Sequence, residues 1–308
     1  MKQPRHILIA DRQGAAIGEG IGARDPAPEL RLVPPESLKQ ADLDGIDALI
    51  TFSPAGSLDF TALPWVHSTG AGVDQLLAAH RFGPDTRLTR TTGHLGRQIA
   101  EYCLAHILAD GQGLRARYTE QAARQWRRGA APALIEGQRA LIVGSGHIGT
   151  AIARLLAAAG IRVTGVARTP RQGEPFGEVI MWPRAVENLA AFRWLVLAAP
   201  LTAKTRGMID RQALAGARGL VLINVARGAL LDDAALLAAL DDGRVASAIL
   251  DVFSTEPLPS ESPFWAHPRV TVTPHVSGLT LPEDAVEAFF AAMTGTTPAH
   301  EVDPGRGY

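Results

Sequence analysis

Residues 141–149 read LIVGSGHIG, which sets Gly144, Gly146 and Gly149 in a G-x-G-x-x-G pattern between a strand-like run and a helix-like run. A dinucleotide needs each glycine for a different reason. Gly144 permits a tight turn, Gly146 lets backbone approach a pyrophosphate, and Gly149 lets the helix pack closely on its strand. The exposed N–H groups of His147 and Ile148, at the positive end of the helix, then favour phosphate. A purely structural glycine turn is the plainer alternative. The next strand-like run, RVTGVAR, ends at Arg168, nineteen residues past Gly149, where an NAD-specific chain would carry Asp or Glu. Arg168, Thr169, Pro170 and Arg171 stand there instead. Two guanidiniums and a hydroxyl suit a 2′-phosphate, which a carboxylate would repel. The expected cofactor is therefore NADP(H), with NAD(H) left open.

The elements that must hold this loop follow from the apolar pattern. RHILIA (5–10), LRLV (30–33), DALITF (47–52), WVHST (65–69) and RLTRTT (87–92) form one strand series. RALIVG (139–144), RVTGVA (162–167), WLVLAA (194–199), LVLINV (220–225), ASAILDVF (246–253) and VTVTP (270–274) form a second. Strands rich in Val, Ile and Leu that alternate with helices predict parallel sheets buried on both faces. A long helix over 97–127 joins the two series, bent or interrupted at Gly111 and Gly113, and a last helix falls near 282–293.

The chain has 308 residues, a formal net charge of −1, 46% hydrophobic and 20% charged residues. That balance makes no electrostatic case for nucleic acid or an anionic membrane. The one cysteine, Cys103, excludes an internal disulfide and thiolate metal clusters, and it falls in an apolar helical run as a small buried hydrophobe. No membrane span is expected, nor a signal peptide in MKQPRHILIADRQ, and a cytoplasmic location follows by default.

Three further segments are more specific: INVARGALLDDAAL (223–236), LDVFSTEPLPSESPFWAHPRVTVTPH (250–275) and VSG (276–278). Their N-x-A-R-G, D-V-F-x-x-E-P-L-P and T-P-H-x-S-G patterns, in this order and spacing, resemble the D-isomer-specific 2-hydroxyacid dehydrogenase family. Within it the chain is most similar to the glyoxylate/hydroxypyruvate reductase A group. The Arg-Thr-Pro-Arg turn, SPFWAHPRV, GAGVD (70–74) and the terminal VDPGRGY carry that closer likeness. The resemblance implies a catalytic triad of Arg227, Glu256 and His275. Arg227 would hydrogen-bond the carboxylate and carbonyl oxygen of a 2-oxo acid. His275 would deliver the proton, and Glu256 would favour the imidazolium and fix the ring. The backbone near Ala71, Gly72 and Val73 would hold the substrate carboxylate opposite Arg227. Pro200, Leu201 and Thr205 would run past ribose and pyrophosphate, with Val225, Ala226, Asp251, Ser277 and Gly278 at the nicotinamide end and Asp251 on its carboxamide. His94, His106 and His267 take structural roles, and no catalytic metal is expected.

The expected fold class is α/β with two domains. A flavodoxin-like substrate domain spans 1–92 plus 281–308, and a Rossmann dinucleotide-binding domain with a doubly wound parallel sheet spans 93–280, with the active site in the cleft between them. The expected reaction is NADPH-dependent reduction of a small 2-oxo acid, glyoxylate to glycolate or hydroxypyruvate to D-glycerate, by a homodimer that uses the 97–127 helix and Trp126. The part after Leu279 is shorter than the family pattern, so the last helix is expected to be clipped. The rivals are a dehydrogenase of another small hydroxy acid or anion, such as formate or phosphite, and a non-catalytic dinucleotide sensor on the same fold.

Overall fold

Continuous apolar runs in this chain become strands covered on both faces. The computed structural model describes residues 3–24, 27–129, 131–295 and 300–304, so the last four residues of VDPGRGY lie outside the described part. The chain forms two compact units, Met1–Leu95 with Leu279–Tyr308, and Gly96–Gly278.

In the first unit, β1 (His6–Ala10), α1 (Gly14–Gly22), β2 (Glu29–Leu32), β3 (Ala48–Thr51), β4 (Trp65–Ser68), α2 (Asp74–Ala79) and β5 (Arg87–Arg90) follow one another. The strands are parallel, in the spatial order β2-β1-β3-β4-β5. Alternate side chains of a strand face opposite ways. Ile7 and Ile9 therefore join Ile17, Ile21 and Trp65 in one core, while Leu8 and Ala10 join Leu49, Val66 and Phe60 in another. Nothing in GAAIGEGIG predicts α1, because each interior glycine costs a helix about 1 kcal/mol. Packing explains one of these glycines: a Cβ on Gly20 would lie 2.8 Å from a methyl of Val286.

The second unit begins with α3 (Leu95–Gly111) and α4 (Leu114–Ala122), so the helix expected over 97–127 is interrupted at the expected glycines and ends at Ala122. Gly113 takes φ 63°, a left-handed value that favours glycine. Ala133 returns to bond its N–H to the Gly111 carbonyl at 2.8 Å, leaving no room there for a side chain. Trp126 lies beyond the end of α4 and is 97% exposed. Ile99, Cys103 and Ile107, spaced by one turn, bury one stripe of α3 in the core beneath it. Cys103 is thus a buried hydrophobe, and burial pushes its thiol pKa up.

The unit continues through β6 (Arg139–Val143), α5 (His147–Ala158), β7 (Arg162–Val166), β8 (Arg171–Gly173), β9 (Phe176–Ile180), α6 (Trp182–Glu187), β10 (Trp194–Leu197), β11 (Leu220–Asn224), α7 (Asp233–Asp241), β12 (Val245–Leu250), α8 (Pro263–Ala266) and β13 (Val270–Val272). The sheet order is β13-β12-β11-β10-β6-β7-β9-β8, parallel throughout except for the β8–β9 hairpin. From β6 the chain builds outward through β7, then returns to β10 on the other side. The carboxyl edge beside β6 is therefore a topological switch point, where such sheets bind ligands. After this unit come α9 (Pro282–Thr294) and β14 (Glu301–Val302), the latter antiparallel to β5. Phe289 of α9 stacks on Trp65 at 4.3 Å, returning the chain end to the first core. No described helix is long and apolar enough to cross a membrane.

Candidate active site

The glycine loop follows β6 and opens α5, with Gly146 as the residue before the helix. Gly144 has φ 105°, and a Cβ on it would lie 2.6 Å from the Ala198 carbonyl oxygen. A Cβ on Gly149 would overlap the Gly144 carbonyl. Those two glycines thus serve protein packing. Gly146 differs: a Cβ there would meet no described atom within 4 Å. The space above it is open, as a pyrophosphate cradle requires. His147 is exposed and its ring packs over Gly96, so its backbone rather than its side chain faces the loop.

Arg171 lies on β8 and donates from Nη1 to the Ser145 hydroxyl at 3.0 Å, so one guanidinium of the basic turn sits on the glycine loop. Arg168 and Thr169 are exposed beside it. In the loop that follows β10, the Thr205 hydroxyl donates to the Pro200 carbonyl at 2.7 Å and accepts from the Thr202 N–H at 2.8 Å. Thr205 therefore shapes the loop around Pro200 and Leu201 from within.

Arg227, Glu256 and His275 follow β11, β12 and β13, three neighbouring parallel strands, so all three emerge at one edge of one sheet. Asn224, fully buried, builds the turn that presents Arg227. Its side-chain oxygen accepts from the Ala226 N–H at 3.1 Å and its amide donates to the Arg227 carbonyl at 3.0 Å. Val225 and Ala226, in that turn, are buried. A Cβ on Gly228 would overlap the backbone of Phe253 and Ser254, so the Arg227 turn lies backbone to backbone against the segment after β12. There the Phe253 N–H donates to Glu256 Oε1 at 2.9 Å, and Glu256 Oε2 lies 2.8 Å from His275 Nδ1. An ionised carboxylate only accepts, so Nδ1 carries a proton and Nε2 is the nitrogen left for chemistry.

Asp251 was expected at a nicotinamide carboxamide. It is fully buried, and its carboxylate accepts from the Thr273 hydroxyl at 2.6 Å and from the N–H groups of Val276 and Ser277 at 2.9 Å each. Its observed partners are thus the His275 loop itself. Ser277 is buried and Gly278 half-buried at the end of that loop.

In the first unit, the GAGVD loop follows β4. The Ser68 hydroxyl accepts from the Gly70 N–H at 3.3 Å, and Val73 precedes α2. Arg90, which sequence reasoning missed, donates to the Ala71 carbonyl at 3.2 Å from the end of β5. Its contact is tertiary and leaves no local pattern in TRTT. Three other histidines have protein partners: His94 on Asp284 at 2.6 Å, His106 against Tyr102, and His267 toward Asp241 at 3.4 Å. Among the described residues, no group of three His, Cys, Asp or Glu side chains could hold a metal ion.

Comparison with known proteins adds to this geometry. Residues 104–277 match the family model described as D-isomer specific 2-hydroxyacid dehydrogenase, NAD binding domain. The chain is 34% identical over 303 residues to glyoxylate/hydroxypyruvate reductase A of Serratia proteamaculans, covering 94% of this chain and 95% of the relative. Among solved structures, a D-isomer specific 2-hydroxyacid dehydrogenase from Xanthobacter autotrophicus Py2, in complex with NADPH and MES, superposes with a TM-score of 0.87. It has 31% identity over 99% of this chain and 100% of its own. The NADPH-dependent glyoxylate/hydroxypyruvate reductase of Sinorhizobium meliloti, in complex with NADP and sulfate, gives 0.83 at 30% identity, over 98% and 99% of the two chains.

Proposed function

The chain belongs to the D-isomer specific 2-hydroxyacid dehydrogenase family, and on that footing we propose that it reduces small 2-oxo acids with NADPH, glyoxylate to glycolate and hydroxypyruvate to D-glycerate. It is an NAD(P)-dependent oxidoreductase by family. The observation that carries the finer reading is the His275–Glu256 pair at 2.8 Å beside the Arg227 turn.

The second unit's own residues fit a dinucleotide. The open space over Gly146, the N-terminus of α5 at His147 and Ile148, and the Pro200–Thr205 loop suit pyrophosphate and ribose. Arg168, Thr169 and Arg171 suit a 2′-phosphate, which supports NADP(H) as the preferred cofactor with NAD(H) secondary. A cofactor held there would supply the hydride for the substrate C2. Arg227 anchors the 2-oxo acid anion and stabilises negative charge growing on the carbonyl oxygen. His275 gives the Nε2 proton to that oxygen, and Glu256 holds the ring and balances its positive charge. In oxidation the neutral imidazole takes the proton back. For the first unit, the amides of Ala71, Gly72 and Val73 form an anion-binding turn braced by Arg90. A homodimer that uses the α3–α4 region would cover Trp126, which sedimentation or light scattering tests.

The decisive experiment follows NADPH absorbance with a panel of 2-oxo acids. Oxidation with glyoxylate or hydroxypyruvate supports the reading, and His275→Gln should abolish it while NADPH still binds. No oxidation with any 2-oxo acid overturns the reading in favour of a dinucleotide sensor. Equal or better efficiency with NADH overturns the cofactor preference.

A further inference from the structure

His275 has φ 56°, in the left-handed region that side chains avoid. Asp251 grips the backbone on both sides of it. The Asp251 carbonyl accepts the His275 N–H at 2.8 Å, and its carboxylate accepts the two amides that follow, from Val276 and Ser277, at 2.9 Å each. The same carboxylate takes the Thr273 hydroxyl at 2.6 Å. Asp251 is fully buried, where an ionised carboxylate persists only with such a set of donors.

The direction of the next bond follows from counting protons. A threonine hydroxyl has one, and it is spent on Asp251, which in its ionised form can only accept. The Thr273 oxygen is left as an acceptor, and the Tyr102 phenol oxygen lies 2.7 Å from it. Tyr102 is therefore the donor. Burial pushes its pKa up, and the nearby Asp251 charge acts in the same direction, so the phenol keeps its proton. The Tyr102 ring lies on α3 against that of His106, one turn later, with centroids 4.5 Å apart. A half-buried helix residue, far from any motif, thus ends a chain of donors that runs through Thr273 to Asp251.

We propose that Tyr102 is a positioning residue for His275, acting through the Thr273 hydroxyl and the Asp251 carboxylate. Without the phenol proton, the Thr273 hydroxyl is free to turn, and the carboxylate that sets the His275 backbone loses its fixed donor. The proposal rests on the reading of His275 as the proton donor.

The test uses the full chain with NADPH and glyoxylate and compares Tyr102→Phe, Thr273→Val, the double variant and Thr273→Ser. Tyr102→Phe keeps the ring against His106, and Thr273→Val keeps the shape while removing the hydroxyl. Each should lower kcat about tenfold, leave both KM values within about twofold, and raise the solvent deuterium isotope effect, because a poorly aimed imidazole makes proton transfer more rate-limiting. The double variant should be no slower than Thr273→Val alone, since both substitutions cut one chain. Thr273→Ser should recover most of the turnover that Thr273→Val loses. A Tyr102→Phe kcat within twofold of the parent overturns the proposal. So do additive losses in the double variant, or an NADPH KM that rises in step with the fall in kcat, which would mark a packing defect. Should Tyr102→Phe fail to fold, the Thr273→Val and Thr273→Ser pair decides, and equal losses in the two overturn the proposal. A parent chain inert toward every 2-oxo acid overturns the proposed function itself, whereas an active parent with an unaffected Tyr102→Phe overturns only the positioning role.

Discussion

Gly228→Ala should separate the chemistry from cofactor binding. The turn after β11 meets the segment after β12 backbone to backbone, and an alanine methyl at 228 would come closer than 3.0 Å to backbone atoms of Phe253 and Ser254. Carbon atoms rest about 3.5–4.0 Å apart, so that segment must retreat by on the order of 1–2 Å. The Phe253 N–H holds Glu256 Oε1 at 2.9 Å, so the retreat draws the carboxylate away from His275. Overpacking of this kind costs about 1–3 kcal/mol in stability. A misplacement of about 1 Å at a reacting group costs about 100-fold in rate. The expected result is a kcat lowered about 100-fold, with NADPH affinity, read by fluorescence titration, within about twofold of the parent, because the glycine loop follows β6, three strands away from β12 in the sheet. Gly146→Ala is the converse. Its methyl meets no described atom within 4 Å, so Tm should hold while NADPH affinity falls about tenfold, the methyl occupying space that suits pyrophosphate. A Gly228→Ala enzyme that turns over within threefold of the parent would refute the reasoning, as would the same affinity-to-rate split in both variants.

Arg171→Ala removes an exposed charge-assisted donor from beside Ser145. At about 1.4 kcal/mol after solvent screening, it should raise the NADPH KM about tenfold and leave the NADH KM unchanged, and an equal rise for both would show that Arg171 does not see the 2′-phosphate. Glu256→Gln keeps an acceptor for the Phe253 N–H but removes the charge beside His275. It should lower kcat about 10- to 100-fold with little change in NADPH KM, and full activity would remove Glu256 from the mechanism. Acid should weaken the first unit through His67, which burial holds neutral with its pKa lowered from 6.5 to about 3. Between those values the unfolded chain binds the extra proton, so stability is intact above about pH 6.5 and falls as pH drops, by about 1.4 kcal/mol per unit for this one group. At pH 5 that is about 2 kcal/mol, and His67→Gln should flatten this part of a urea-midpoint titration between pH 7 and 5. Parallel curves for parent and variant would show that His67 is not responsible.

Most strands were legible because they are short runs buried on both faces, as ILIA and LVLIN are, and a run dominated by Val, Ile and Leu is a signal that survives without context. Arg227, Glu256 and His275 were legible as candidates only through their motifs. What escaped notice depends on contacts between distant segments. α1 exists despite four glycines, at 14, 18, 20 and 22, of which Gly20 is held to a small residue by the Val286 methyl, and a propensity scale scores all four as breaks. β8 is three exposed residues, RQG, and has no alternation to detect, yet it carries Arg171 onto the glycine loop. Asn224, Arg90 and Tyr102 are ordinary residues in ordinary runs, and only the partners that folding supplies make them supports of a site.

The strain at His275 ties these levels together. An isolated left-handed histidine would relax, since its preferred wells lie elsewhere. Here the strand ladder does not stop where the strands do. The Asp251 N–H reaches the Asn224 carbonyl at 3.1 Å, and the His275 N–H reaches the Asp251 carbonyl at 2.8 Å, so the three loops past β11, β12 and β13 stay bonded in strand order. The residue that carries Arg227's turn, the residue ahead of Glu256's loop and His275 itself are consecutive rungs of that extension. Asn224 and His275, 51 residues apart in the chain, are thereby held by the same geometry that builds the sheet. The cost of the strained backbone is offset by the buried donors gathered on Asp251. Loosening that extension should thus impair proton transfer before it impairs folding, which is the order in which the Tyr102, Thr273 and Gly228 variants are expected to fail.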